Sequence, residues 1–302
     1  MNEAGGVATL GARAAWTPAR ADTTRAVARR LLGRNLLAAT ALVVLALAVG
    51  AAVLAPWLPL ADPDAVDTAN RLRPPLAAGH VLGTDEFGRD MLSRLVWGAR
   101  VSLLAGFGTA ALAMVVGVAL GILGGYRTGW IEAVVMRLTD ILMAFPYILL
   151  AIAIVAGVGP GLRNAMLAIA IVGFPFYLRL VRSVVLSLKS REFVEAARAL
   201  GSHDGAILVR HVLPHLLSPV LVAFSLDVGA KILATAGLSF LGLGTQPPTA
   251  DWGSMLATGR QFVILRPHVA LLPGLAIFVV VLAVNLVGDA LRDLLDPRVR
   301  AT

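Results

Sequence analysis

The feature that most constrains this 302-residue chain is a series of six apolar stretches, near Leu36–Leu58, Val101–Gly124, Ile141–Val158, Ala165–Leu180, Leu217–Leu243 and Leu271–Leu291. A helix needs about 20 mostly apolar residues to cross a bilayer. The fourth stretch is short for that unless Val181–Leu188 continues it. Only 15% of the residues are charged and 58% are hydrophobic. Soluble domains carry about 25% charged and roughly 45–50% apolar residues. The expected fold class is therefore an all-α integral membrane protein with about six transmembrane helices in one membrane domain.

The net charge of +8 comes from arginines placed beside the apolar segments. That placement fits membrane orientation, not nucleic-acid binding. With the N-terminus inside, the inner segments hold Arg13, Arg20, Arg25, Arg29, Arg30, Arg34, Arg127, Arg137, Arg179, Arg182, Lys189, Arg191, Arg198, Arg210, Arg292, Arg298 and Arg300. The outer segments hold Arg71, Arg73, Arg89, Arg94, Arg100, Arg163, Arg260 and Arg266. The bias of about two to one predicts N-in, C-in. The expected order is a cytoplasmic tail over 1–34 and a first transmembrane helix over 35–60. An external loop over 61–100 follows, then a core over 101–292 with an internal loop at 189–214, and a cytoplasmic tail over 293–302. The first apolar stretch is too long for a signal-peptide core of about 7–15 residues, so it reads as an uncleaved anchor. With no cysteine in the chain, disulfides and thiolate chemistry are excluded.

The most informative internal segment is Ser190–Pro214. Phe193, Ala196, Ala197 and Leu200 recur at helical spacing and form a narrow apolar stripe. Gly201 suits a left-handed residue ending that helix. Ser202 or Asp204 then caps a second helix running through Ile207, Leu208 and Val212 towards Pro214. A stripe with two alanines has little bulk to bury in lipid, but it lets a partner approach closely. Docking into a protein groove and lying on the bilayer surface both fit the local pattern.

Glu195-Ala196-Ala197, Gly201 and His211-Val212-Leu213-Pro214 together resemble the EAA loop of ABC-importer permeases. Three further stretches resemble the C-type permeases of the dipeptide and oligopeptide (peptide/nickel) branch. They are His80–Asp90 with Ser93-Arg94 and Gly98-Ala99-Arg100, Leu238–Pro248 with Trp252-Gly253, and Gly288-Asp289 through Asp296-Pro297-Arg298. The resemblance spans nearly everything after Leu36. It implies a type I ABC-importer permease fold in the inner membrane, forming half of a translocation path for peptides. It also implies that Phe193, Glu195, Ala196, Ala197, Leu200, Gly201, His211, Leu213 and Pro214 form the contact to an ATPase subunit. The implied partners are a second homologous permease, two ATP-binding subunits, an extracytoplasmic substrate-binding protein and the lipid membrane. ATP and magnesium would sit on the ATPase subunits, leaving this chain without a cofactor. The branch often has glutamate at the position of Thr235, and Lys231 is a departure from it.

Charged groups inside a bilayer are unfavourable by roughly 2.5–3.5 kcal/mol on insertion scales. Asp227 and Lys231 lie four residues apart on the fifth stretch and can pair on one helix face. They either line a substrate path or form a self-neutralising pair. Asp140 begins the third stretch and Asp289 ends the sixth, both at the interface. Asn285 is expected in an interhelical hydrogen bond, and Pro146 and Pro175 are expected to kink their helices. No Gly-Lys-Ser/Thr phosphate loop, HExxH pair or GxSxG elbow occurs, so no catalytic or metal site is expected. The competing readings are an ion-coupled secondary transporter using Asp227 and Lys231, and a membrane-embedded enzyme.

Overall fold

The computed structural model describes residues 36–77, 79–127 and 129–295. The expected tail over 1–34 and the Asp296-Pro297-Arg298 motif lie outside the described residues. The helices are α1 (Leu36–Leu54), α2 (Met91–Tyr126), α3 (Trp130–Met143), α4 (Tyr147–Val158), α5 (Leu162–Lys189), α6 (Glu192–Ala199), α7 (Asp204–Ile207), α8 (Leu213–Phe240), α9 (Trp252–Gly259) and α10 (His268–Leu295). Short 3₁₀ turns follow α1 and α9.

Among the described residues, five helical runs are long and apolar enough to span a membrane. A sixth arises if α3 and α4 are taken together, but they are bent by 95° at their junction. The expected third span is thus a broken one, with Pro146 at the break. Proline has no N–H to donate and disfavours helix in the residue before it, so the helical ladder stops at Ala144–Phe145. The fourth span does continue through Leu188, and Pro175 lies within it. Arg179 and Arg182, assigned from sequence to the inner segments, are therefore helical. Each ties α5 to α3: Arg179 to Asp140 at 2.7 Å, and Arg182 to Glu132. Asp140 sits near the C-terminal end of α3, four residues before Ala144, so it does not begin a helix.

α2 also departs from expectation by starting at Met91, ten residues before the apolar run. Asp90 caps it, its side chain accepting from the Ser93 amide at 2.8 Å. The added turns bury Met91, Ser93 and Arg94. Two arginines there mask a packed helix from a hydropathy reading. The loop expected over 61–100 is shorter by the same residues.

α2 and α5 form the central pair. Gly117, Gly121 and Gly125 fall at four-residue spacing along the contact. A Cβ at Gly117 would come within 2.5 Å of Tyr177 Cβ, and one at Gly121 within 2.8 Å of the Leu178 carbonyl. Small residues let helix backbones meet closely where lipid provides no hydrophobic drive. α8 and α10 pack beside this pair, and α1 covers α10 and α2. Leu47, Val115 and Phe278 remain well exposed on the spans, as a lipid-facing surface requires.

The two ends of the bundle differ. At the end where α2 starts, buried side chains knit the loops together. Arg94, 4% exposed, reaches the Pro63 carbonyl at 2.9 Å, Asp64 at 3.3 Å and Asp85 at 3.4 Å. Asp85 binds Arg89 at 2.7 Å, and His80 meets Asp90 at 2.9 Å. Asp251 caps α9 and accepts from Ser102 Oγ at 2.7 Å, while Trp252 Nε1 donates to the Leu95 carbonyl at 2.9 Å. Burial pushes the Asp251 carboxyl above its ordinary pKa, against the hydrogen bonds that favour its charge. The opposite end carries α6 and α7 on a separate apolar cluster of Tyr126, Val181, Val185, Val194, Ala197, Ile207, Val212 and Leu216.

Candidate functional site

The first candidate is the α6–α7 segment. α6 ends as the sequence suggested: Gly201 has φ +81°. The Ser202 amide bonds the Ala197 carbonyl at 3.0 Å, and the Gly201 amide bonds Arg198 O at 2.9 Å. This is a glycine-terminated helix end. The next cap is a correction. Neither Ser202 nor Asp204 fills it; His203 does, its Nδ1 accepting from the Ala206 amide at 3.1 Å. Asp204 is free of that duty because its carboxylate meets Tyr126, which the local sequence could not reveal. Between α7 and α8 the chain widens by a π turn over Leu208–Val212, where the Leu213 amide bonds Leu208 O. Pro214 supplies no amide to the helix that follows, so the ladder is free to reset there.

The expected apolar stripe divides. Ala197 turns inward together with Val194, which the sequence reading passed over. Val194, three residues before Ala197 on the same helix face, is fully buried with it in the cluster formed with α5 and α8. Phe193, Ala196 and Leu200 are left outward, with Leu200 86% exposed. Glu195 is exposed beside them. The Phe193 ring stacks on His215 at 5.6 Å between centroids and lies 6.1 Å from His211. Leu213 and Pro214 are exposed at the start of α8. The structure thus gathers Phe193, His211 and His215, and leaves Leu200 apart from them. A concavity of about 670 Å³, lined by Leu188, Ser190, Arg191, Glu192, Phe193 and His215, opens beside the helix.

The second candidate lies within the spans. Lys231 Nζ is 3.3 Å from Asp227 Oδ1, so the sequence-predicted pair forms. Two tyrosines that the sequence reading passed over complete it. Lys231 Nζ donates to Tyr147 Oη at 3.1 Å, and Tyr177 Oη donates to Asp227 Oδ2 at 3.0 Å. A tyrosine buried in an apolar run needs a partner for its hydroxyl, and that was the available signal. Tyr147 opens α4 directly after the break, Tyr177 lies on α5, and the pair lies on α8. Gly173 leaves room for the lysine: a Cβ there would come within 2.5 Å of Nζ. A cavity of about 350 Å³ adjoins the cluster, lined by Met143, Phe145, Tyr147, Phe176, Asp227 and Lys231 among others. Thr235 is occupied in capping its own helix turn, Oγ1 bonding the Lys231 carbonyl at 2.9 Å. Asn285 faces Gly229, where a Cβ would come within 2.8 Å of its Oδ1.

A bundle of apolar spans, a broken helix facing buried opposite charges, and a short helix pair exposed at one end define a multi-pass membrane transport subunit. The sequence matches the family of binding-protein-dependent transport system inner membrane components over residues 117–301, and the chain belongs to that family. It is 48% identical to the dipeptide transport system permease protein DppC of Alkalihalophilus pseudofirmus over 250 residues, covering 83% of this chain and 82% of that one. It is 47% identical to the glutathione transport system permease protein GsiD of Pectobacterium atrosepticum over 232 residues, covering 77% of each. The fold resembles a chain of the MetNI methionine ABC transporter in inward-facing conformations. The TM-score is 0.56 at 20% identity, covering 68% of this chain and 98% of that chain. The protein is thus a multi-pass inner-membrane permease of an ABC importer, and its family implies ATPase and substrate-binding partners. The gradient-driven alternative is left without support.

Proposed function

We propose that this chain forms one half of the translocation path for di- or oligopeptides, beside a second homologous permease. Two ATP-binding subunits would supply hydrolysis with their own ATP and magnesium, and this chain would hydrolyse none. The N- and C-termini face the cytoplasm in this reading. α6 docks on an ATPase subunit through Phe193, Ala196, Leu200 and the flanking Glu195, while Gly201 shapes the end of the helix. Ala197 anchors the helix from behind, and His211, Leu213 and Pro214 carry the junction into α8. The observation that carries this reading is the outward turn of Phe193, Ala196 and Leu200 on a helix held by Val194 and Ala197. An amphipathic helix with exposed apolar anchors at i, i+3 and i+7 suits a groove in a partner.

The test is affinity purification of the tagged chain in detergent, with mass spectrometry of what accompanies it. Wild-type chain should bring down a second permease and ATP-binding subunits, while Gly201→Asp and Glu195→Lys should insert normally and lose the ATPase. Retention of the ATPase by both variants, with normal uptake, sinks the docking assignment.

Asp227 and Lys231 line the cargo path in the same reading, where a peptide's charged ends would meet them. The supporting observation is their place on the cavity opposite the broken α3–α4 span, the kind of position that discontinuous helices give to transporter sites.

A further inference from the structure

Tyr126 is the last residue of α2, and it meets three other elements at once. Its hydroxyl donates to Asp204 Oδ1 at 2.5 Å, at the first residue of α7. Arg198, near the end of α6, approaches the same hydroxyl at 3.5 Å, its guanidinium 6.0 Å from the ring centre. Lys189, the last residue of α5, donates to the Tyr126 carbonyl at 3.0 Å. The ring belongs to the apolar cluster holding Val194 and Ala197 of α6 and Ile207 of α7. Displacement of α6 and α7 therefore reaches the end of α2 through the Tyr126 side chain, beside the apolar packing of Met114, Val118 and Ile122 on the same cluster.

What lies beyond Tyr126 is stiff. The Gly117, Gly121 and Gly125 contacts press α2 directly onto the α5 backbone. With no side chain at these glycines to act as a spacer, the two backbones have little slack to absorb movement, so the two helices shift together. Gly117 packs on Tyr177, whose hydroxyl holds Asp227. A continuous set of contacts thus runs from the exposed α6 face to the buried pair.

We infer that Tyr126 is a positioning residue: through its hydrogen bond to Asp204 it converts movement of the α6–α7 segment into movement of the joined α2–α5 pair. The inference rests on the reading that α6 docks on an ATPase subunit. Coupling is measured at both ends, at the bound ATPase and at the spans.

The chain contains no cysteine, which makes site-specific labelling clean. Spin labels at Arg100→Cys on α2 and Leu233→Cys on α8 report their separation in the complete transporter, reconstituted in lipid discs. In the wild-type background, trapping with ATP and vanadate should shift the distance distribution. In Tyr126→Phe, which keeps the ring and its packing, the ATPase subunits should stay bound and hydrolyse ATP to within about two-fold, while the shifted population falls at least about five-fold. Asp204→Ala should reproduce that loss, Asp204→Asn should retain the shift because its amide oxygen still accepts, and the Tyr126→Phe/Asp204→Ala pair should be no worse than either single change.

A full shift in Tyr126→Phe overturns the inference. So does loss of the ATPase from Tyr126→Phe, because the bond would then only shape the docking face. So does an absent shift in the wild-type background with ATPase bound, because α2 would then not move. Wild-type chain that binds no ATPase overturns the docking reading itself, and this inference with it.

Discussion

The two ends of the bundle are built on opposite principles. The end where α2 begins is fixed by buried charge and side-chain-to-backbone bonds: Arg94 with Asp85 and Pro63, Ser102 with Asp251, Trp252 with Leu95. The end where α2 stops has short helices, an exposed Leu200 and Phe193, and a few bonds that converge on Tyr126. Buried polar networks specify one arrangement, because every alternative leaves a charge unpaired. Apolar contacts between small helices can slide or be re-covered at lower cost. The first end is a rigid frame, and the second is a surface able to meet a partner and to be displaced by it.

The sharpest way to break this contrast is Arg94→Ala. It leaves Asp85 buried with one partner fewer and should destabilise the fold by ~3–5 kcal/mol. Thermal unfolding in detergent should report a large fall in midpoint, with little protein reaching the membrane. A midpoint near wild type would show that the end where α2 begins is not the frame.

Next comes the buried pair between the two ends. Lys231→Ala alone leaves the Asp227 charge with only the Tyr177 hydroxyl as partner and should lower the protein level. Asp227→Ala with Lys231→Ala should restore the level, since removing both charges removes the mismatch. If the pair lines the cargo path, peptide uptake by the double variant stays severely reduced at normal protein levels. Near-normal uptake would instead mean a self-neutralising pair with no role in passage.

Gly201→Ala places a Cβ at φ +81° and should destabilise by about 1 kcal/mol. Loosening of α6 by limited proteolysis, with the rest of the bundle intact, would confirm that the effect stays local. The smallest expected stability change is at Leu200→Glu, within about 0.5 kcal/mol, since the side chain is exposed. The same change should abolish ATPase co-purification. Unaltered co-purification would remove the contrast between frame and docking surface at its most exposed point.

Much of this was legible in the chain itself. Repeated apolar runs of about bilayer length favour spanning helices, and all but the broken third stretch appear as single long helices, with shifted ends. The Glu195-Ala196-Ala197…Gly201 spacing identified the loop helix, and Gly201 ends it with the left-handed φ that its lack of a Cβ permits. The i,i+4 spacing of Asp227 and Lys231 predicted a pair that the structure forms at 3.3 Å. These features are local: they depend on residues within a turn or two of one another, and helical periodicity is fixed by the backbone.

What only the tertiary structure decided is everything that depends on a neighbour far along the chain. Which face of α6 turns inward depended on Val194 finding the α5–α8 cluster, so the stripe read from sequence was rotated. Asp204 looked like a cap until Tyr126, 78 residues away, claimed its carboxylate. The tyrosines that complete the Asp227–Lys231 cluster come from α4 and α5 and the charged pair from α8, three separate helices meeting at one place. Hydropathy records how much a residue gains by leaving water; it carries no record of which distant group will satisfy the polar atom it takes along.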